Sequence, residues 1–367
     1  MGYFRYPLYY KAFRCIASAC RDSCCIGWEI DIDANTLQYY QQIDDAFGRR
    51  LAENIALPPE HSHVSAHFIT DGKERCPFLN SCNLCDIYIA LGEQHLCQIC
   101  TDHPRFYNWF TDGTEAGLGL CCEAAAELIL TSSGYPVLES VVDDSQPEVC
   151  FDAQNHLERD TEQLLFSMRE ELFHIIKPES KQPLDKMMDC LFRAALSMQD
   201  TYDALLFPGM QAAFTDVSDI ARISWSKSFW NPTFLHPLLD FYLTLEINDT
   251  TWQSTLLHIK ENIIDILANR QAFLSWYQSQ LYEYEQLLVY FLYRHFMKAQ
   301  EDDALLQKVT FALISTCIIQ LVDIWFWQKE HTLSHVQQID ICKLYSKEIE
   351  YDEDNTEKIS FYPLPFS

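Results

Sequence analysis

"EYEQLLVYFLYRHFMKAQ", Glu283 to Gln300, carries apolar residues on nearly every face of a helical wheel. A surface helix shows one apolar stripe, whereas a stretch that is apolar all round belongs at the centre of a bundle. Upstream, "TWQSTLLHIKENIIDILANRQAFLSWYQSQL", Thr251 to Leu281, repeats apolar residues at helical spacing. From Leu238 through Tyr362 there is neither Gly nor Pro. The strongest helix breakers are missing there, so the turns must use polar residues. "HLERDTEQLLFSMREELFHII", residues 156–176, extends the pattern. The chain therefore reads as mostly α, with an α-helical bundle domain over residues 136–367. The most apolar run, Val309 to Gln328, is interrupted by Gln320 and Asp323 and has no basic flank. That favours a buried helix over a membrane span.

The first third has a different grammar. Eleven of the fifteen cysteines lie at or before Cys122, and nine of the ten glycines by Gly134. Such clustering marks an irregular, Cys-rich metal-binding domain over residues 1–135, with the boundary near "TSSGYPVLESVVDDSQPEV", where Gly, Ser and Pro accumulate. "GWEIDID" alternates Trp28, Ile30 and Ile32 with Glu29, Asp31 and Asp33, the pattern of a short strand with one wet face. "DANTLQYYQQIDDAFGRRLAENI" follows with helical periodicity, and Asp33 or Asn35 is placed to cap its first turn.

A net charge of −27 repels phosphate backbones, and no Lys/Arg stripe with interleaved aromatics opposes it. Nucleic acid is not expected as a partner on that ground; the field would draw a cationic partner such as a lysine-presenting protein, although acidity alone more often means only solubility. The first residues, "MGYFRYPLYYKAFRC", lack an apolar run followed by small residues, which points to the cytoplasm. In that reducing compartment fifteen cysteines, an odd number, are poorly explained by disulfides.

The thiols fall as close pairs between long gaps: Cys15, Cys20, Cys24-Cys25, then Cys76, Cys82, Cys85, Cys97 and Cys100, then Cys121-Cys122. Pairs on separate loops are the pattern of a metal site assembled by the fold. Zinc and iron-sulfur clusters both accept four thiolates. Cys97-x2-Cys100, with His103 beyond, resembles half a zinc ribbon. Adjacent cysteines such as Cys24-Cys25 diverge and suit a larger cluster or two sites. A radical S-adenosylmethionine motif, Cys-x3-Cys-x2-Cys, is broken because Gly27 stands at its third position. "GTEAGLGL", Gly113 to Leu120, has the wrong glycine spacing for a nucleotide loop.

"FRCIASACRDSCCIGWEIDID", "RCPFL…LCDIYIALGEQHLCQICTDHPRF", "LGLCCEAAAELIL" and "YSKEIEYDEDN" resemble successive motifs of the flagellin lysine N-methylase family, whose cysteine region belongs to the zinc- or iron-chelating CxxCxxCC group. The resemblance implies a bacterial cytoplasmic enzyme that transfers methyl groups from S-adenosylmethionine to lysine side chains of flagellin. It also implies a [4Fe-4S] cluster, and sets the family cysteines on Cys15, Cys20, Cys24, Cys25, Cys76, Cys85, Cys97, Cys100 and Cys121. Cys82 and Cys122 are extra. Tyr351 stands where the family usually has His after "SKEIE". Nine candidates exceed what one four-thiolate cubane needs.

Lysine methylation needs a neutral amine aligned with a sulfonium methyl, so the enzyme must deprotonate, desolvate and position. Acidic and phenolic groups are the candidates. Asp31, flanked by Glu29 and Asp33, follows Cys24-Cys25 closely. Tyr345, Glu348 and Glu350 lie in the C-terminal motif, with Glu348 the preferred base. Arg105, near Asp102 and His103, is suited to hold a carboxylate such as that of the methionine moiety. Two other readings stand beside the methyltransferase: a non-enzymatic interaction module braced by zinc or a cluster, and a redox enzyme.

Overall fold

A computed structural model describes residues 2–57, 66–72, 74–132, 136–143, 153–177, 182–206 and 217–365. The fold is mostly α. By contact density the chain forms two compact units. The larger holds Met1–Ala12, Tyr107–Cys121 and Ala125–Ser367, and the smaller holds Phe13–Phe106 with Cys122–Ala124. This differs from a cut at residue 135. The reason is strand Gly2–Pro7, which pairs in parallel with Gly113–Leu118 and antiparallel with Leu138–Asp143. Paired on both sides, the N-terminal strand belongs with the larger unit. Strand Arg105–Phe110 completes that four-stranded sheet at one edge. Of the expected boundary stretch, residues 133–135 and 144–149 lie outside the described residues.

In the larger unit, helix Leu305–Glu330 runs through the core. Val309 to Ile324 are buried without a gap, against helices Leu184–Leu206, Ile263–Trp276 and Tyr282–His295. Each fully buried Leu, Ile or Phe contributes about 1.5–3 kcal/mol, which explains how a helix apolar on all sides is stable there. It is the one helix among the described residues long and apolar enough to cross a membrane, and its burial is that of a core helix. Helix Tyr282–His295 is likewise buried almost throughout, as its all-round apolar pattern requires. The Thr251–Leu281 stretch breaks into Thr250–Glu261 and Ile263–Trp276 at Asn262, a polar turn in a run without Gly or Pro. On the sheet, fully buried Glu115 is held by two guanidiniums, Arg169 at 2.6 Å and Arg5 at 2.7 Å, the pairing a buried carboxylate needs.

The smaller unit has little regular structure. Asp31–Ile32, Ala66–Phe68 and Ile55–Ala56 form a three-stranded sheet of very short strands. The expected strand survives only as Asp31–Ile32, although Ile30 and Ile32 are buried and Glu29 and Asp31 exposed, as the alternation requires. The expected single helix is two, Ala34–Gln41 and Ala46–Glu53. Asp33 caps the first through Thr36 N, and Asp45 starts the second by accepting from Phe47 N and Gly48 N. Gly48 is required at that junction, because a Cβ would lie 1.8 Å from the Ile43 carbonyl oxygen.

Candidate functional site

Backbone pairing in the smaller unit explains which thiols meet. Ile26 bridges Arg75, and Cys76 N donates to Cys25 O at 2.9 Å, so the Cys24-Cys25 loop lies along Cys76. Leu79 bridges Cys85, which folds Cys85 back toward Cys76. Cys97 and Cys100 bracket the first turn of helix Gln98–Asp102. That turn is tied down by Asp33, whose carboxylate accepts Gln98 N at 2.9 Å. Cys76 and Cys97 are buried in the hydrophobic core of the unit, with Cys25, Cys85 and Cys100 packed against it.

These thiols sense one another. Burial pushes the Cys76 thiol up to about 11, with Cys85 and Cys97 adding to the rise. Burial also raises Cys85, which feels Cys24. A hydrogen bond between Cys97 and Cys100 lowers Cys97 and raises Cys100, whose other neighbours include Cys25 and Cys76. Cys24, Cys25, Cys76, Cys85, Cys97 and Cys100 therefore form one neighbourhood. Among the described residues no cysteine is in a disulfide. Backbone N–H groups of Phe78 and Leu79 near Cys76, and of Ile87 and Tyr88 near Cys85, act against the rise of those two thiols. The donor chemistry fits a zinc ion or an iron-sulfur cluster. As the side chains stand, no three metal-ligating groups among the described residues are drawn tightly around one point.

The remaining sequence candidates sit differently. Cys15 is exposed and its sulfur accepts Ala17 N, while Cys20 Sγ lies 3.7 Å from Glu123 Oε2. Cys121 belongs to the larger unit, beside Tyr351. Asp31 is exposed and stands opposite His67 in the short sheet. Asp33 is spent on capping and on Gln98. The Arg105 guanidinium lies over the Phe13 ring at 5.1 Å and donates to Thr101 O at 3.3 Å. Glu348 accepts Asn248 N and Asp249 N at 2.7 and 2.9 Å, which clamps the entry to helix Thr250–Glu261. Tyr345 is sealed in the core, donating to Ser315 Oγ at 2.7 Å and lying 3.3 Å from Tyr242 OH.

Two residues beyond Glu348 the larger unit holds a more unusual group. Ser346–Glu350 is a π-helical turn, closed by Tyr351 N donating to Ser346 O, five residues back. Such turns occur frequently at functional sites. This one carries Glu350 into a buried polar centre. Its carboxylate accepts Tyr290 OH at 2.8 Å, Ser346 Oγ at 2.5 Å and His295 Nε2 at 2.8 Å, with Arg294 Nε at 3.4 Å. Burial alone would raise the Glu350 carboxyl, but the Arg294 charge and these hydrogen bonds outweigh it and hold it down to about 2. Burial drives His295 down to about 4 despite that bond. At neutral pH Glu350 is therefore an anion and His295 a neutral imidazole. Since a carboxylate only accepts, the His295 proton sits on Nε2.

Arg294 also donates to Tyr290 OH at 2.9 Å, and its guanidinium lies against the Tyr351 ring at 4.7 Å. Tyr351 is 42% exposed as a residue, while its hydroxyl reaches inward to hydrogen-bond Cys121. Gly119 makes the room: a Cβ there would lie 2.3 Å from Tyr351 OH and 3.0 Å from an Arg294 nitrogen. Leu120 N donates to Tyr290 OH at 3.2 Å. Residues 119–121 and 346–351, distant in the chain, thus meet on Arg294. The available signal was the Arg294-His295 pair, polar residues that follow the apolar run Leu287–Tyr293 of the same helix.

Residues 180–361 match the sequence profile of the FliB lysine N-methylase C-terminal domain. Over 126 residues the chain is 31% identical to a lysine-N-methylase of Salmonella typhimurium, covering 34% of this chain and 31% of that protein. A lysine-N-methylase of Salmonella choleraesuis matches with the same identity and coverage. The flagellar biosynthetic protein FliU of Salmonella muenchen is 31% identical over 126 residues, 75% of its length. The chain thus spans under a third of the two lysine-N-methylases it matches. No solved structure matches.

Proposed function

The chain belongs to the FliB lysine N-methylase family, and on that premise we propose that it methylates lysine side chains of flagellin in the bacterial cytoplasm, with S-adenosylmethionine as methyl donor. The observation that carries the reading is the meeting of Gly119–Cys121 with Glu350-Tyr351 on Arg294. Both segments lie in stretches that resemble the family's motifs.

A lysine of ordinary pKa, about 10.4, must lose its proton before its nitrogen attacks the sulfonium methyl. The C–N bond forms as the S–CH3 bond breaks, and the thioether leaves neutral. That displacement is polar and consumes no electron. Glu350, an ion-paired anion, is too weak a base for the proton, which passes to solvent water before the amine attacks. Its part is to hold Arg294 against Tyr351, and Tyr290 ties the pair to Leu120. The exposed Tyr351 ring forms the rim along which the lysine side chain lies. The −27 net charge favours encounter with a lysine-bearing partner.

Four of Cys24, Cys25, Cys76, Cys85, Cys97 and Cys100 would hold a [4Fe-4S] cluster, with zinc as the alternative occupant. When bound, either supplies a cross-link among loops that lack regular structure of their own.

The test is incubation with methyl-labelled S-adenosylmethionine and purified flagellin, followed by mass spectrometry of flagellin peptides. Label on lysines, lost in Tyr351→Ala, is expected. An intact, metal-loaded protein that leaves flagellin unlabelled would favour the interaction module.

A further inference from the structure

Tyr40 is a phenol with 2% exposure inside the cysteine-rich unit. Its ring packs 6.2 Å from Tyr39 and 6.4 Å from Phe68, a role phenylalanine would fill equally well. The hydroxyl therefore needs its own explanation, because a buried hydroxyl is costly unless it is bonded. It donates to the His95 carbonyl at 2.7 Å and stands 3.8 Å from Cys97 Sγ, within reach of a hydrogen bond to sulfur.

The same helix grips the segment around Cys97 at two further points. Asp33, its N-cap, accepts Gln98 N at 2.9 Å. Tyr39 stacks on the His95 ring with centroids 4.0 Å apart and planes 4° from parallel. Asp33, Tyr39 and Tyr40 thus hold the segment from His95 to Gln98 from one side. Of the three, Tyr40 is the one whose donor lies beside a thiol.

We propose that Tyr40 is a positioning residue for the metal centre, its hydroxyl donating to the Cys97 sulfur when that sulfur is a metal ligand. The inference rests on the metal-binding reading above. A single proton serves either acceptor, so the hydroxyl turns from the His95 carbonyl toward the sulfur, or is shared between them, with no movement of the ring. Hydrogen bonds to ligand sulfurs orient them and raise the reduction potential of an iron-sulfur centre.

The test compares wild type, Tyr40→Phe and Tyr39→Phe as full-length protein, prepared metal-free under anaerobic conditions. Zinc ion is the first probe, titrated in competition with a chromogenic chelator. Tyr40→Phe is expected to bind about 10-fold more weakly, while Tyr39→Phe matches wild type. After reconstitution with iron and sulfide, the midpoint potential of Tyr40→Phe is expected to move negative, which a merely structural role would not produce. If Tyr40→Phe lowers the stability of the metal-free protein, the difference in melting temperature between loaded and metal-free forms is compared instead, and a smaller difference than in wild type is expected. Equal affinity, potential and melting difference in Tyr40→Phe would overturn the proposal. Wild type that takes up neither zinc nor a cluster overturns the metal-binding reading itself, and Tyr40 with it.

Discussion

The interior of the cysteine-rich unit mixes Cys76 and Cys97 with Ile30, Phe68 and Phe78, around strands of two or three residues. The interior of the larger unit rests on helices of up to 26 residues, and buried Glu115 and Glu350 are ion-paired. Long helices satisfy their own backbone and bury wide apolar faces, so this unit has room for a deep polar centre. Strands so short cannot hold a sheet alone, and the smaller unit depends on caps, bridges and whatever ties its thiols together. Buried Glu115 and Glu350 of the larger unit are thus secured by ion pairing, whereas the core of the smaller unit is packed with thiols.

The comparison breaks most readily in the smaller unit. Replacing Cys97 and Cys100 together with serine is expected to abolish bound metal, read by elemental analysis, while the helical circular dichroism of the larger unit persists. Retention of metal would remove sulfur as the organiser. In the larger unit, Glu350→Ala leaves Arg294 without its carboxylate, at a cost of about 3–5 kcal/mol in urea unfolding. Metal content should be unchanged. A negligible loss would mean that Arg294 finds solvent and that the centre is not closed.

Acid sharpens the contrast. Both titratable partners of the polar centre have depressed folded-state values: His295 falls from 6.5 to about 4, and Glu350 from 4.5 to about 2. For each, the unfolded chain binds its proton first as pH falls, so stability declines with acidification. The His295 contribution is lost between about pH 6.5 and 4, and that of Glu350 between about 4.5 and 2. Urea midpoints across that range should fall in wild type and flatten in His295→Gln above pH 4.5. Gly119→Ala pushes a methyl into Tyr351 and Arg294, costing about 1–3 kcal/mol and lowering methyl transfer more than thermal stability. The smallest effect is expected from Glu348→Ala, about 1 kcal/mol for a lost helix-entry clamp. If it instead stops methyl transfer in a folded protein, Glu348 takes part in the reaction and is more than a helix-entry clamp.

Much of the architecture could be read in advance because it rests on local periodicity. The all-round apolar run at Glu283–Gln300 and the absence of Gly and Pro from Leu238 through Tyr362 define helices wherever they pack. Breaks were less legible: Asn262 and Asp45 end or start helices through local side-chain and backbone hydrogen bonds that periodicity does not register. Strand Gly2–Pro7 was missed because its partners, Gly113–Leu118 and Leu138–Asp143, are more than a hundred residues away.

Residue type and spacing alone marked this protein as a largely helical chain with a thiol-rich region, since composition and period are local properties, and the family resemblance marked the motif that contains Glu350-Tyr351. Which six thiols share a neighbourhood, and that Glu350 faces inward while Glu348 clamps a loop, was decided in three dimensions. Cross-strand bridges select the sulfurs, and one extra residue in the π-helical turn shifts the side chains around it. Neither depends on neighbours in sequence, so neither leaves a periodic trace there.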